Sequence, residues 1–207
     1  MRTRRLRPLL ASGISNLPLW HCRTSLVGPD ADPSPAWAGA AEDRFGSCGM
    51  SAYDSDDLVG WVVFCPALHV PAEHLLAQGT RVADSAMLLG VAVRDTHRGQ
   101  GIGRQLVQAA AARMVGGAVC VDALGAAVPL TCEVAPLYWL TAVGFAPVDA
   151  MRTGAGPMRM RLDLGATIRW RPDLRSAVDL LTGWVTRPGV AHEPARRVLH
   201  DHSVGHA

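Results

Sequence analysis

Residues 91–110 read VAVRDTHRGQGIGRQLVQAA, and no other stretch limits the possible folds so tightly. An apolar, β-branched run passes through Gly99, Gly101 and Gly103 into a run of strong helix formers, the pattern of a strand that turns into a helix. Glycine removes the Cβ that would hold a ligand away from the backbone. The N-terminus of a helix offers unpaired N–H groups and about half a positive charge, which suits an anion such as a phosphate. Arg94, Arg98 and Arg104 add guanidinium groups around the same turn.

What the chain lacks narrows the choice of phosphate ligand. All 20 of its Lys and Arg residues are Arg, which excludes a Walker-type loop, a pyridoxal Schiff base and a Ser/Lys hydrolase. A Rossmann turn needs G-x-G-x-x-G, and the spacing here is G-x-G-x-G; the acid about 20 positions on, Asp122, is weak support by itself. A net charge of +2, without aromatics clustered beside a basic patch, argues against nucleic acid. No apolar run approaches the roughly 20 residues that span a bilayer, so no membrane partner is expected. The five cysteines (Cys22, Cys48, Cys65, Cys120, Cys132) contain no C-x-x-C pair and point to free thiols in a reducing, cytoplasmic setting. No metal is expected: His69, Glu73 and His74 fit neither HExxH nor HxxEH, and Asp54, Asp56 and Asp57 lack the glycine and distal glutamate of a calcium loop.

Residues 1–13 are Arg-rich and read as a flexible cationic lead-in, since Pro8, Gly13 and Pro18 interrupt any apolar segment. A helix is predicted over residues 35–45, with Ser34 as N-cap and Pro35 at its first position. Residues 47–65 read as two strands joined by a turn at 54–57, followed by a long connection over 66–85. Beyond the glycine stretch come a helix over 104–115, a strand over 118–124, and a helix in APLYWLTAVG that ends at Gly144. FAPVDA and MRMRLDL read as two last strands. An amphipathic helix carrying Leu174, Val178, Leu181 and Val185 follows, with residues 186–207, including His200, His202 and His206, as a disordered tail.

At this point the pattern becomes specific. Arg98-x-x-Gly101-x-Gly103 after an apolar strand resembles the acyl-CoA signature of the GCN5-related N-acetyltransferases (GNAT), and YWLTAVGFAPV resembles that family's later helix ending in Gly-Phe. Further segments, among them LVGWVVFCPALHVPAEH and CEVAPLYWLTAVGF, are similar to a subgroup from GC-rich bacteria. The resemblance implies an α+β (α/β/α) fold over residues 14–185. Its mixed, mostly antiparallel sheet of about six to seven strands is splayed between strands 4 and 5, flanked by helices, with the C-terminal amphipathic helix added.

The resemblance also implies an acetyl-CoA-dependent N-acetyltransferase whose partners are acetyl-CoA and an unidentified amine, in a monomer or homodimer. Val91, Ala92 and Val93 would pair with the pantetheine arm, with a backbone N–H near Val91 stabilising the oxyanion. Arg98, Gly99, Gln100, Gly101, Ile102, Gly103 and Arg104 would hold the pyrophosphate. Direct attack requires a base for the amine and an acid for the thiolate. The family's usual Tyr falls at Leu140 here, with Tyr138 two residues earlier, so Tyr138 is the candidate acid. Asp122, Glu133 and Asp84 are the candidate bases, and His97 lies on the phosphate side. The missing Tyr keeps open an acyl-CoA-binding sensor or scaffold of the same fold.

Overall fold

The computed structural model describes residues 4–20, 22, 24–78, 80–128, 131–148 and 156–165. Its strands are β1 (Arg4–Leu9), β2 (Gly49–Asp54), β3 (Asp57–Pro66), β4 (Ser85–Val93), β5 (Cys120–Ala126), β6 (Val134–Pro136), β7 (Ala146–Pro147) and β8 (Met158–Asp163). Its α-helices are α1 (Ala36–Phe45), α2 (Ile102–Met114) and α3 (Leu137–Val143). The strands form one eight-stranded mixed sheet in the order β1-β2-β3-β4-β5-β8-β7, with β6 beside β5. This is the expected architecture, with the short β6 added.

Helix α2 forms because Ile102, Leu106, Val107, Ala110, Ala111 and Met114 recur at helical spacing and bury against the sheet. On the same sheet face, Phe45 of α1 meets Phe64 of β3 edge-on at 6.0 Å. Trp61, on the alternate face of β3, donates its indole N–H to the Pro18 carbonyl at 2.9 Å. Helix α3 ends where expected, at Gly144 in the left-handed region.

Three local expectations are corrected. Arg4–Leu9 is not a flexible lead-in but an edge strand, paired antiparallel with β2 from Arg4↔Asp54 to Leu9↔Gly49. Its arginines hid the strand pattern, because backbone pairing does not require apolar side chains. Helix α1 begins at Ala36 with Pro35 as the N-cap, since Pro35 is extended (ψ 137°) and its carbonyl accepts from Ala38 and Gly39. Ser34 instead donates its N–H to Asp32. Cys22 and Cys132 are not free thiols but a disulfide, their Cα atoms 5.4 Å apart across 110 residues of sequence. The expected C-terminal helix and tail lie outside the described residues. No helix among the described residues is long and apolar enough to cross a membrane.

The feature that shapes the site is a slip in β4. Its register against β3 runs Val63↔Gly90 and then Phe64↔Leu88, which leaves Leu89 without a partner position. The Leu89 carbonyl is met by His74, whose Nε2 lies 3.1 Å away, while Nδ1 accepts the Leu76 N–H at 3.0 Å. Because Nδ1 accepts, Nε2 carries the proton and the ring is neutral. Just before the slip β4 leaves β5: the two pair in parallel only at Ser85↔Cys120, Ala86↔Val121 and Met87↔Asp122, although β4 runs on to Val93.

Burial holds the pKa of His74 below its ordinary 6.5, with the Glu133 carboxylate, the Leu89 bond and Glu73 pulling partly the other way. The unfolded chain therefore binds a proton that the folded chain refuses. This contribution is complete above about pH 6.5 and is lost as pH falls below it toward the folded-state value. His74→Leu should leave the Leu89 carbonyl and Leu76 N–H unpaired, at a cost of about 1–3 kcal/mol for each group. Urea unfolding followed from pH 7 to pH 5 should show wild-type stability falling with acid, and a flatter dependence in the variant.

Candidate functional site

Past the point where β4 and β5 part lies a groove of about 640 Å³, within the roughly 300–1,000 Å³ typical of small-molecule sites. Val91, Ala92 and Val93 line one side of it. From the glycine turn, Arg98, Gly99, Gly101, Ile102, Gly103 and Arg104 also line it, and Gln100 does not.

The three glycines divide by cause. Gly99 (φ 74°) and Gly101 (φ 78°) are left-handed, and a Cβ on either would meet open space. They are there for backbone conformation, at the turn that leads into α2. Gly103 lies inside the helix, where a Cβ would come within 2.9 Å of the Trp139 ring. Its role is to let the indole of α3 rest on the first turn of α2.

The turn is braced from several directions. Arg4 donates to the Gln100 carbonyl at 3.0 Å and to the Gln100 side-chain oxygen. His97 lies 3.6 Å from Asp54 on β2. Arg98 pairs with Asp95 at 2.7 Å and also donates to the Val93 carbonyl at 3.3 Å. Arg104 donates to the Ala142 carbonyl and so ties α2 to the end of α3. These contacts fix the turn at the edge of the groove.

The candidate catalytic residues separate. Asp122 is fully buried and takes a two-pronged ion pair from Arg161, at 2.7 and 2.9 Å, with Arg159 3.9 Å away. That hydrogen bond raises the Arg161 pKa further. A carboxylate so held does not reach the groove, so Asp122 is a structural anchor and not the expected base. Asp84 is exposed and lies 3.4 Å from Arg44, far from the reacting end. Glu133 is adjacent to the groove-lining Cys132, and its carboxylate lies 3.7 Å from His74 Nε2. Tyr138 lines the groove and is 77% exposed, whereas Leu140 is buried beneath α3, where an added Gly125 Cβ would meet it.

The Val91 N–H donates to the Cys132 carbonyl at 3.0 Å. The expected oxyanion donor is therefore occupied. Sequence reading also missed Arg4, Trp139 and the Cys22–Cys132 crosslink, which depend on contacts between distant segments. Among the described residues, no group of His, Cys, Asp or Glu could hold a metal ion.

A sequence profile of the acetyltransferase (GNAT) family matches residues 18–128, more than half of the chain. No relative among curated proteins matches the sequence. Among solved structures, AAC(6')-Ib in complex with ribostamycin and coenzyme A is 16% identical, with a TM-score of 0.55 over 83% of this chain and 99% of that one. The same aminoglycoside acetyltransferase with coenzyme A gives a TM-score of 0.54 at 16% identity, over 82% and 99%. The yncA protein of Salmonella typhimurium, with its cofactor acetyl-CoA, gives 0.52 at 15% identity, over 78% and 94%. At these identities the likeness is one of fold.

Two outcomes follow from the packing. Gly103→Val should destabilise the protein by about 1–3 kcal/mol through overpacking against Trp139, and a Trp139→Ala second change should recover part of the loss in a double-mutant thermal-melt cycle. Asp122→Asn should cost about 1–3 kcal/mol by weakening the charge-assisted bonds from the partly exposed Arg161, measured by urea unfolding.

Proposed function

Since the chain belongs to the acetyltransferase (GNAT) family, we propose that it moves the acetyl group of acetyl-CoA to an amine by direct attack on the thioester. The observation that carries this reading is the shared groove. The N-terminus of α2, its two left-handed glycines and the outer end of β4 all border it. A CoA pyrophosphate at the N–H groups of α2 would be held by the helix dipole and by backbone donors. The pantetheine arm would then run along Val91, Ala92 and Val93, which places the thioester where β4 and β5 part.

Each remaining step falls to a residue of this chain. The Val91 N–H, on the groove-lining part of β4, polarises the thioester carbonyl once the Cys132 carbonyl moves off it. Glu133 takes a proton from the acceptor ammonium, and the neutral amine then attacks the thioester carbonyl. The neutral His74 ring lies beside Glu133, which leaves the carboxylate without an opposing cation from that side. Tyr138, at the rim, returns a proton to the departing thiolate.

A binding-only reading is favoured by one observation, the buried Leu140 at the position where the family's Tyr is expected. Calorimetry with acetyl-CoA, followed by free-CoA release over a panel of amines, separates the two. The panel should include ribostamycin, because the chain shares the fold of an enzyme solved with that compound. Binding with turnover on at least one amine supports transfer, binding without turnover supports the sensor, and no binding removes both. Gly101→Val forces a β-branched residue into the left-handed region. It should weaken acetyl-CoA binding by at least ~10-fold. Unchanged affinity in a folded variant would remove the pyrophosphate cradle. Glu133→Gln should lower kcat by roughly 10²–10⁴ if Glu133 is the base.

A further inference from the structure

Cys22 and Cys132 both line the groove, and their disulfide joins two stretches that border it. On one side, the Cys22 N–H donates to the Leu19 carbonyl at 2.7 Å and closes a turn. Within that turn Trp20 sits at φ 46°, in a region costly for a bulky aromatic residue, and its ring borders the groove as well. On the other side, the Cys132 carbonyl takes the Val91 N–H at 3.0 Å. One covalent bond thus ties a strained turn to the backbone group that occupies β4.

We propose that the Cys22–Cys132 disulfide is a redox latch that keeps the Cys132 carbonyl on the Val91 N–H and so denies that donor to the thioester of acyl-CoA until a dithiol reduces it. This rests on the acetyl-CoA reading above. A single N–H cannot serve the Cys132 carbonyl and a thioester oxygen at full strength together. Crosslinked to Cys22, Cys132 cannot leave β4 without dragging the Leu19–Trp20 turn with it. Reduction cleaves the S–S bond. The dithiol becomes a disulfide, and its two electrons and two protons leave Cys22 and Cys132 as thiols. The freed turn then relaxes Trp20, and the Cys132 backbone can withdraw.

The remaining cysteines do not compete for this chemistry. Cys48, Cys65 and Cys120 are buried free thiols. Burial, with Glu42 adding to it, pushes the Cys48 thiol up to about 12, and burial raises Cys65 and Cys120 too. Since the thiolate is the reacting form, exchange near neutral pH falls on the groove pair.

The test uses the whole chain, oxidised with glutathione disulfide or reduced with a phosphine. Alkylation of the denatured protein should label three of its five cysteines in the oxidised form and all five in the reduced form, read by mass. Acetyl-CoA, which carries no free thiol, should bind at least ~10-fold tighter to the reduced protein in calorimetry, as expected if about a tenth or less of the oxidised molecules are open. The peptide containing Val91 should take up deuterium faster after reduction. Cys132→Ser, or Cys22→Ser should the first fail to fold, should bind like reduced wild type and ignore the reductant. Five labelled cysteines after oxidation, or equal affinity in the two redox states, overturns the latch and leaves the acetyl-CoA reading standing. Binding in neither state overturns the acetyl-CoA reading and takes the latch with it.

Discussion

The contact between His74 and the Leu89 carbonyl is the one from which the rest of the site follows. A register slip in the middle of a buried sheet leaves a carbonyl with no ladder partner, and such a group is costly without one. A neutral histidine meets it at 3.1 Å and anchors its own far nitrogen on Leu76, so the slip is stable. Pairing of β4 with β5 ends at Met87, next to the slip, and the groove lies past this parting, with the glycine turn at its edge.

The turn shows how three identical residues can answer to different forces. Gly99 and Gly101 satisfy dihedrals, with open space where their side chains would be. Gly103 satisfies packing, because the Trp139 ring occupies the place of its Cβ. The start of α2 at the groove depends on the first two directly. It depends on the third only through the spacing of α2 and α3, which the Arg104 bond to Ala142 also sets.

Signals that are local in sequence were readable there. The strand–turn–helix unit at 91–110, the turn between β2 and β3, and the end of α3 at Gly144 each rest on residues within a few positions of one another. The missed features rest on pairs far apart. Nothing in the acidic residue at 122 indicates that Arg161 will hold it from the neighbouring strand, and that partnership turns a candidate base into an anchor. Strand β1 escaped notice because its arginines suggested solvent, although Arg4 reaches across to brace Gln100. Cys22 and Cys132, 110 residues apart, carry no mutual signal at all. His74 stood out only as part of a failed metal motif, and its structural use appears once β4 is seen to slip.

The Val91 N–H joins these strands of argument. It belongs to the part of β4 that lines the groove, and it is bonded to the Cys132 carbonyl. Two acceptors competing for one donor make ligand binding and the resting contact alternatives, so whatever holds Cys132 in place sets how readily the groove accepts an acyl group. A lone hydrogen bond of this kind is worth only about 0.5–1.5 kcal/mol net, little enough for a ligand to displace. A crosslink alters that balance, because it removes the freedom of Cys132 to move aside. On the proposed acetyl-CoA reading, the occupancy of this single backbone donor is what couples the crosslink to the acyl end of the groove.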